Sequence, residues 1–94
     1  MAQDETYQIR QLASVINDIS NVDDVYRFLK ELFTNAELSD LSKRWRILTM
    51  LNDGYTQRKI AQELKVSLCK VTRGAKIIKN KKSVTSTYLN KNIK

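Results

Sequence analysis

Between Thr56 and Asn80 the sequence TQRKIAQELKVSLCKVTRGAKIIKN sets apolar residues at helical spacing in two short runs. Ile60, Ala61 and Leu64 form the first; Leu68, Val71, Ala75 and Ile78 form the second. Only Lys65-Val66-Ser67 separates them. Helices this short are marginal in water by themselves, so each must bury its apolar stripe against the other and against a further element. Thr56 and Ser67 each stand immediately before a run, where a side-chain oxygen can accept from the unpaired N–H groups of a first helical turn. The spacing predicts two helices crossing through a tight turn, a helix-turn-helix. Ala61 is placed at the crossing, and Val66 and Val71 are placed to lock the pair. Lys65 occupies the turn position where glycine is favoured, at a backbone cost of about 1 kcal/mol.

The rest of the chain has the same periodicity. From about Glu5 to Ile19, Ile9, Leu12, Val15, Ile16 and Ile19 mark an amphipathic helix that Ser20-Asn21 breaks. A second runs from about Val22 to Phe33 on Val22, Val25, Tyr26, Leu29, Leu32 and Phe33, with Asp23 and Asp24 in the favourable first turn. Both are read as core and dimer surface. Thr34 and Glu37 form a capping box for a third helix over Asn35 to Asn52. Leu38, Leu41, Trp45, Leu48 and Leu51 are its expected buried stripe, and Gly54 its left-handed cap. With no proline and two glycines in 94 residues, the expected fold class is all-α, with five or so helices in one domain over residues 1–94. Residues 1–33 supply dimerisation helices, 34–54 the central helix, 56–80 the helix-turn-helix, and 81–94 a basic, flexible tail, in which Val84, Tyr88 and Leu89 offer at most one weak turn that docks on the body. A chain this small has limited surface to bury, so a homodimer is expected on size alone.

Charge separates the two ends of the chain. Residues 1–63 hold eight Lys/Arg and all ten acids, net −2, whereas residues 64–94 hold nine Lys/Arg and no acid, net +9. An acid-free basic block calls for a polyanion partner. No stretch nears the roughly 18 apolar residues of a membrane span, and the polar start MAQDETYQIR has no hydrophobic signal region. One cysteine and no histidine give no intrachain disulfide and argue against a metal site. They also leave no nucleophile paired with a base. The expectations are a cytoplasmic location, no membrane, no metal, no resident cofactor and no enzymatic activity.

With Leu68, Val71, Ala75 and Ile78 turned inward, the outer face of the second helix begins with Ser67, Cys69, Lys70 and Thr72, where such a helix enters the major groove of double-stranded DNA. Lys70 can reach guanine O6/N7, and Thr72 a phosphate or a thymine methyl. Gln57, Arg58 and Lys59 open the first helix and lie toward the DNA backbone. Gly74 has two readings. A mid-helix glycine costs about 1 kcal/mol relative to alanine. Either two helices approach closely there, or it leaves room for a flat ligand beside Arg73, whose guanidinium can stack on an aromatic face.

TQRKIxxEL followed by VTRG, preceded by FTNAELSDLSKRWRI, resembles the tryptophan repressor family over roughly Leu32 to Lys79. The resemblance implies an intertwined, all-helical homodimer whose reading heads are spaced for a DNA operator by bound L-tryptophan as corepressor. It places Arg44 on the carboxylate of that ligand, Arg73 on its indole ring, Gly74 beside the ring and Thr34 in the same pocket. Gln57, Arg58, Lys70 and Thr72 match DNA-contacting positions. Ile77 replaces a serine close to the ligand, and Glu31 replaces an apolar residue. The link Gly54-Tyr55-Thr56 is one residue shorter than in tryptophan-responsive members and is similar to the YerC-like branch.

The expected function is sequence-specific transcriptional regulation, as a repressor, under L-tryptophan or another amino-acid-like corepressor. Two other readings stand beside it: constitutive DNA binding by the same fold, and a helical protein-interaction module whose basic tail meets an acidic partner.

Overall fold

A computed structural model describes residues 4–92. Six helices follow in order: α1 (Glu5–Asp18), α2 (Val22–Leu32), α3 (Asn35–Asn52), α4 (Gln57–Leu64), α5 (Leu68–Lys79) and α6 (Val84–Asn92). There is no strand among the described residues. The all-α expectation holds, with one helix more than the sequence singled out. None of the helices is long and apolar enough to cross a membrane. The chain falls into two compact units, Met1–Leu38 and Ser39–Lys94, so that the boundary lies inside α3.

In the first unit the helix starts are fixed by local chemistry. Asp4 accepts from the Tyr7 N–H at 2.9 Å and caps α1. Asn21 accepts from the Asp24 N–H at 2.9 Å and caps α2. Thr34 and Glu37 form the reciprocal capping box: the Glu37 N–H reaches Thr34 Oγ1 at 3.1 Å and the Thr34 N–H reaches Glu37 Oε1 at 2.9 Å. Neither α1 nor α2 buries a residue. Ile9, Val15, Tyr26 and Leu32 are exposed, and Val22 is 81% exposed.

The second unit contains a small core. Ile47 and Met50 of α3, Ile60 of α4 and Val71 of α5 meet there, with Leu51, Ala61, Leu64 and Val66 packed against them. Ala61, Val66 and Val71 thus hold the places that the crossing requires. The expected α3 stripe is corrected. Its buried residues are Ile47, Thr49 and Met50, while Leu41 and Trp45 are exposed. Apolar side chains occur on more than one side of α3, so periodicity alone does not select the face that packs. Thr49, also buried, donates its hydroxyl to the Arg46 carbonyl at 3.0 Å and leaves no polar atom stranded.

Residues 81–94 are likewise not the flexible tail expected, as far as residue 92. Ser83 Oγ accepts from the Ser86 N–H at 3.1 Å at the start of α6, Ser86 Oγ lies 3.4 Å from the Ile78 carbonyl, and Leu89 is fully buried. α6 packs on α5. Residues 93 and 94 lie outside the described residues.

Candidate nucleic-acid interface

Gly54 ends α3 at φ 96°, with the Tyr55 N–H returning to the Met50 carbonyl at 3.1 Å. Its positive φ redirects the chain into Thr56, whose Oγ1 accepts from the Lys59 N–H at 3.2 Å and starts α4. α4 stops eight residues later at Lys65, which adopts the left-handed conformation at φ 55° and ψ 47°. The Lys65 and Val66 N–H groups both point to the Ala61 carbonyl, closing the helix C-terminus. Ser67 then caps α5 through the Lys70 N–H. The turn is therefore built as the sequence requires, with lysine bearing the strained backbone.

Around α5 the residues segregate by side. Val71, Gly74 and Ala75 are buried, and Ile77 and Ile78 half-buried. Cys69, Lys70, Thr72, Arg73 and Lys76 are exposed, as are Ser67 before the helix and Arg58 and Lys59 on α4. An open depression on the outer face is lined by Leu68, Cys69, Thr72, Arg73 and Lys76. Leu68 corrects the sequence reading. The apolar stripe places it inward, yet it is 52% exposed. Its position as first residue of α5, ahead of the point where the helix meets the core, is the signal that a simple stripe overlooks. Lys76 shares this face one turn beyond Thr72 and was not singled out either.

One bond within the set was also missed. Thr72 Oγ1 donates to Gln57 Oε1 at 3.0 Å, joining α5 to the first residue of α4. Gln57 is half-buried. Sequence spacing alone has no means of showing a contact across fifteen residues between two polar side chains.

The candidate effector residues have a different distribution. Arg44 and Arg73 are exposed, and neither makes a hydrogen bond or ion pair among the described residues. Thr34 uses its oxygen as the cap of α3. Gly74 is accounted for by packing: a Cβ placed on it would lie 2.9 Å from Ile47 Cγ2, 3.3 Å from Leu51 Cδ1 and 3.6 Å from Leu48 Cδ2. Of the two sequence readings of this glycine, close helix approach is the arrangement observed. Of the five candidate effector residues, only Arg73 borders the outer depression. Glu31 is exposed, so its carboxylate is not desolvated in the chain.

No solved structure matches the chain. Among curated proteins it is 33% identical over 76 residues to a Trp operon repressor homolog of Xylella fastidiosa (strain M23), covering 80% of each chain. It is 33% identical over 72 residues to a Trp operon repressor homolog of Chlamydia trachomatis serovar L2, covering 71% of this chain and 77% of that one. It is also 30% identical over 66 residues to the uncharacterized protein YerC of Bacillus subtilis (strain 168), covering 70% of this chain and 64% of that one. The family model for the Trp repressor protein matches residues 7–93. With that match over nearly the whole chain, the chain belongs to the Trp repressor family.

Proposed function

We propose that the chain is a sequence-specific DNA-binding transcriptional regulator that acts as a repressor. The observation that carries this reading is the α4–turn–α5 unit, whose exposed side offers Arg58, Lys59, Lys70, Arg73 and Lys76 with no acid beyond Glu63. Lys70 and Cys69, in the first turn of α5, face the base edges, with Ser67 and Leu68 beside them. Arg58 and Lys59 neutralise phosphates, so affinity falls with salt as counterions are released. Phosphate contacts set the register and the α5 contacts select sequence.

A second copy of the chain is the partner that completes the molecule. The exposed Val22, Tyr26 and Leu32 of α2 and Leu41 and Trp45 of α3 are more apolar surface than helices normally leave in water. In a dimer the two reading heads meet successive major grooves about 34–36 Å apart, the general spacing for helix-turn-helix dimers, Trp repressors among them. Selection of duplexes from a random pool by the purified protein tests the reading. A two-fold-symmetric motif with half-sites one helical turn apart is expected; no enriched motif overturns it.

The regulation follows one of two routes. In the first, L-tryptophan or a similar amino acid binds with its carboxylate on Arg44 and its ring against Arg73, with Gly74 and Ile77 beside it. The ligand then favours the DNA-competent spacing by differential affinity. In the second, DNA binding is constitutive. The packing of Gly74 against Ile47, Leu51 and Leu48 favours the second, because it accounts for the glycine without a ligand. Gel shifts with and without L-tryptophan decide: a mobility change lost in Arg44→Ala and Arg73→Ala supports the first route, and an unchanged pattern the second.

A further inference from the structure

Gln57 and Thr72 both lie on the face assigned to DNA, yet each holds the other. The Thr72 hydroxyl donates to the Gln57 side-chain oxygen at 3.0 Å, the one side-chain bond between α4 and α5 among the described residues. A terminal amide rotates easily about its last torsion, where two opposed orientations are similar in energy. With the Thr72 hydroxyl donating, the oxygen faces Thr72; the reverse, with the hydroxyl accepting from the nitrogen, is disfavoured once an anion lies on the outer side. The amide nitrogen, Nε2, is then turned from Thr72 and makes no hydrogen bond among the described residues. It stands beside the exposed Arg58 and Lys59 at the start of α4. An N–H donor here suits a phosphate oxygen, whereas the opposite orientation would present a carbonyl oxygen to an anion.

We propose that Thr72 is a positioning residue for DNA binding, its hydroxyl holding the Gln57 amide so that the N–H groups face a backbone phosphate. The inference rests on the DNA reading above and sharpens it. Of the two residues, Gln57 touches the nucleic acid and Thr72 acts through it. A contact of this kind is independent of base sequence. It removes no charge when lost, so the dependence of affinity on salt keeps its slope, unlike the loss of Arg58 or Lys59.

The test is a double-mutant cycle with the full chain, on a duplex that the wild-type protein has selected from a random pool. Gln57→Ala and Thr72→Val are each expected to weaken binding about tenfold, the effect of losing one hydrogen bond to a charged group. The double variant is expected to bind no worse than Gln57→Ala alone. Thr72→Ser, which keeps the hydroxyl, restores wild-type affinity, and all four variants keep the wild-type salt slope and helical circular dichroism. Further weakening by Thr72→Val in the Gln57→Ala background means that Thr72 meets DNA itself and overturns the positioning role, as does unaltered binding by Thr72→Val in the wild-type background. If the wild-type protein selects no duplex at all, the DNA reading fails and this role with it. Tight wild-type binding with an additive cycle removes the positioning role alone.

Discussion

Lys65 and Gly74 are residues whose backbone or packing contradicts their ordinary preferences. Lys65 is the one non-glycine residue at positive φ among the described residues. Lys65→Gly should relieve that conformation, worth roughly 1–2 kcal/mol, against the greater freedom glycine gives the unfolded chain. The expected net is a gain of about 0.5 kcal/mol in the unfolding free energy, read by urea denaturation. Gly74→Ala brings opposite terms together. Helix propensity favours alanine by about 1 kcal/mol, but its methyl would press on Ile47 Cγ2 in the core. Overpacking of this kind costs roughly 1–3 kcal/mol, so a loss of about 1 kcal/mol is expected. A variant more stable than wild type would show that α3 yields at this point. Both positions could be recognised as unusual from the sequence, since lysine in a turn and glycine in a helix each violate a local rule. What filled the space beside Gly74 could not, because Ile47 is distant in the chain.

At the scale of elements, capping chemistry was the most legible signal. Thr34 with Glu37, Thr56, and Ser67 each predicted a helix start that the structure has, because a cap is a local bond between neighbours. Burial was less legible. α3 has apolar residues on more than one side, and its choice of Ile47 and Met50 over Leu41 and Trp45 depends on α4 and α5. α6 reads as a tail with at most one weak docking turn because its single decisive residue, Leu89, stands among threonines, serines and asparagines. Leu89→Ala should lower the unfolding free energy by about 2–4 kcal/mol, readable by thermal melting; no change would return the segment to a flexible tail. α2 has a pH response at its start. Hydrogen bonds from Arg27 and then Asn21 hold the Asp24 carboxyl below its ordinary pKa. A depressed carboxyl pKa stabilises the helix above the ordinary carboxylate range, and that contribution disappears as pH falls through the lowered value. Amide protection in the first turn of α2, taken relative to an unstructured peptide at the same pH, should therefore fall on acidification, and Asp24→Asn should weaken that pH dependence.

For the whole molecule, stability and function are both expected to depend on a second copy. A chain that exposes Val22, Tyr26, Leu32, Leu41 and Trp45 should sediment at about twice its 10.9 kDa mass. Tyr26→Glu or Leu32→Glu should shift it toward monomer and lower its melting temperature. Trp45, the single tryptophan, is a direct reporter: its emission should move to longer wavelength as dilution separates the copies, and constant emission would place it outside the interface. The central claim is that the outer face of α5 reads base sequence. It is tested most directly by the ratio of affinities for the selected duplex and a scrambled duplex at one salt concentration, measured for wild type and Lys70→Ala. The account predicts that Lys70→Ala lowers this ratio by about tenfold or more, since one good base contact discriminates by roughly 1–3 kcal/mol. A Lys70→Ala protein that binds both duplexes more weakly by the same factor would make Lys70 a phosphate contact and contradict the assignment.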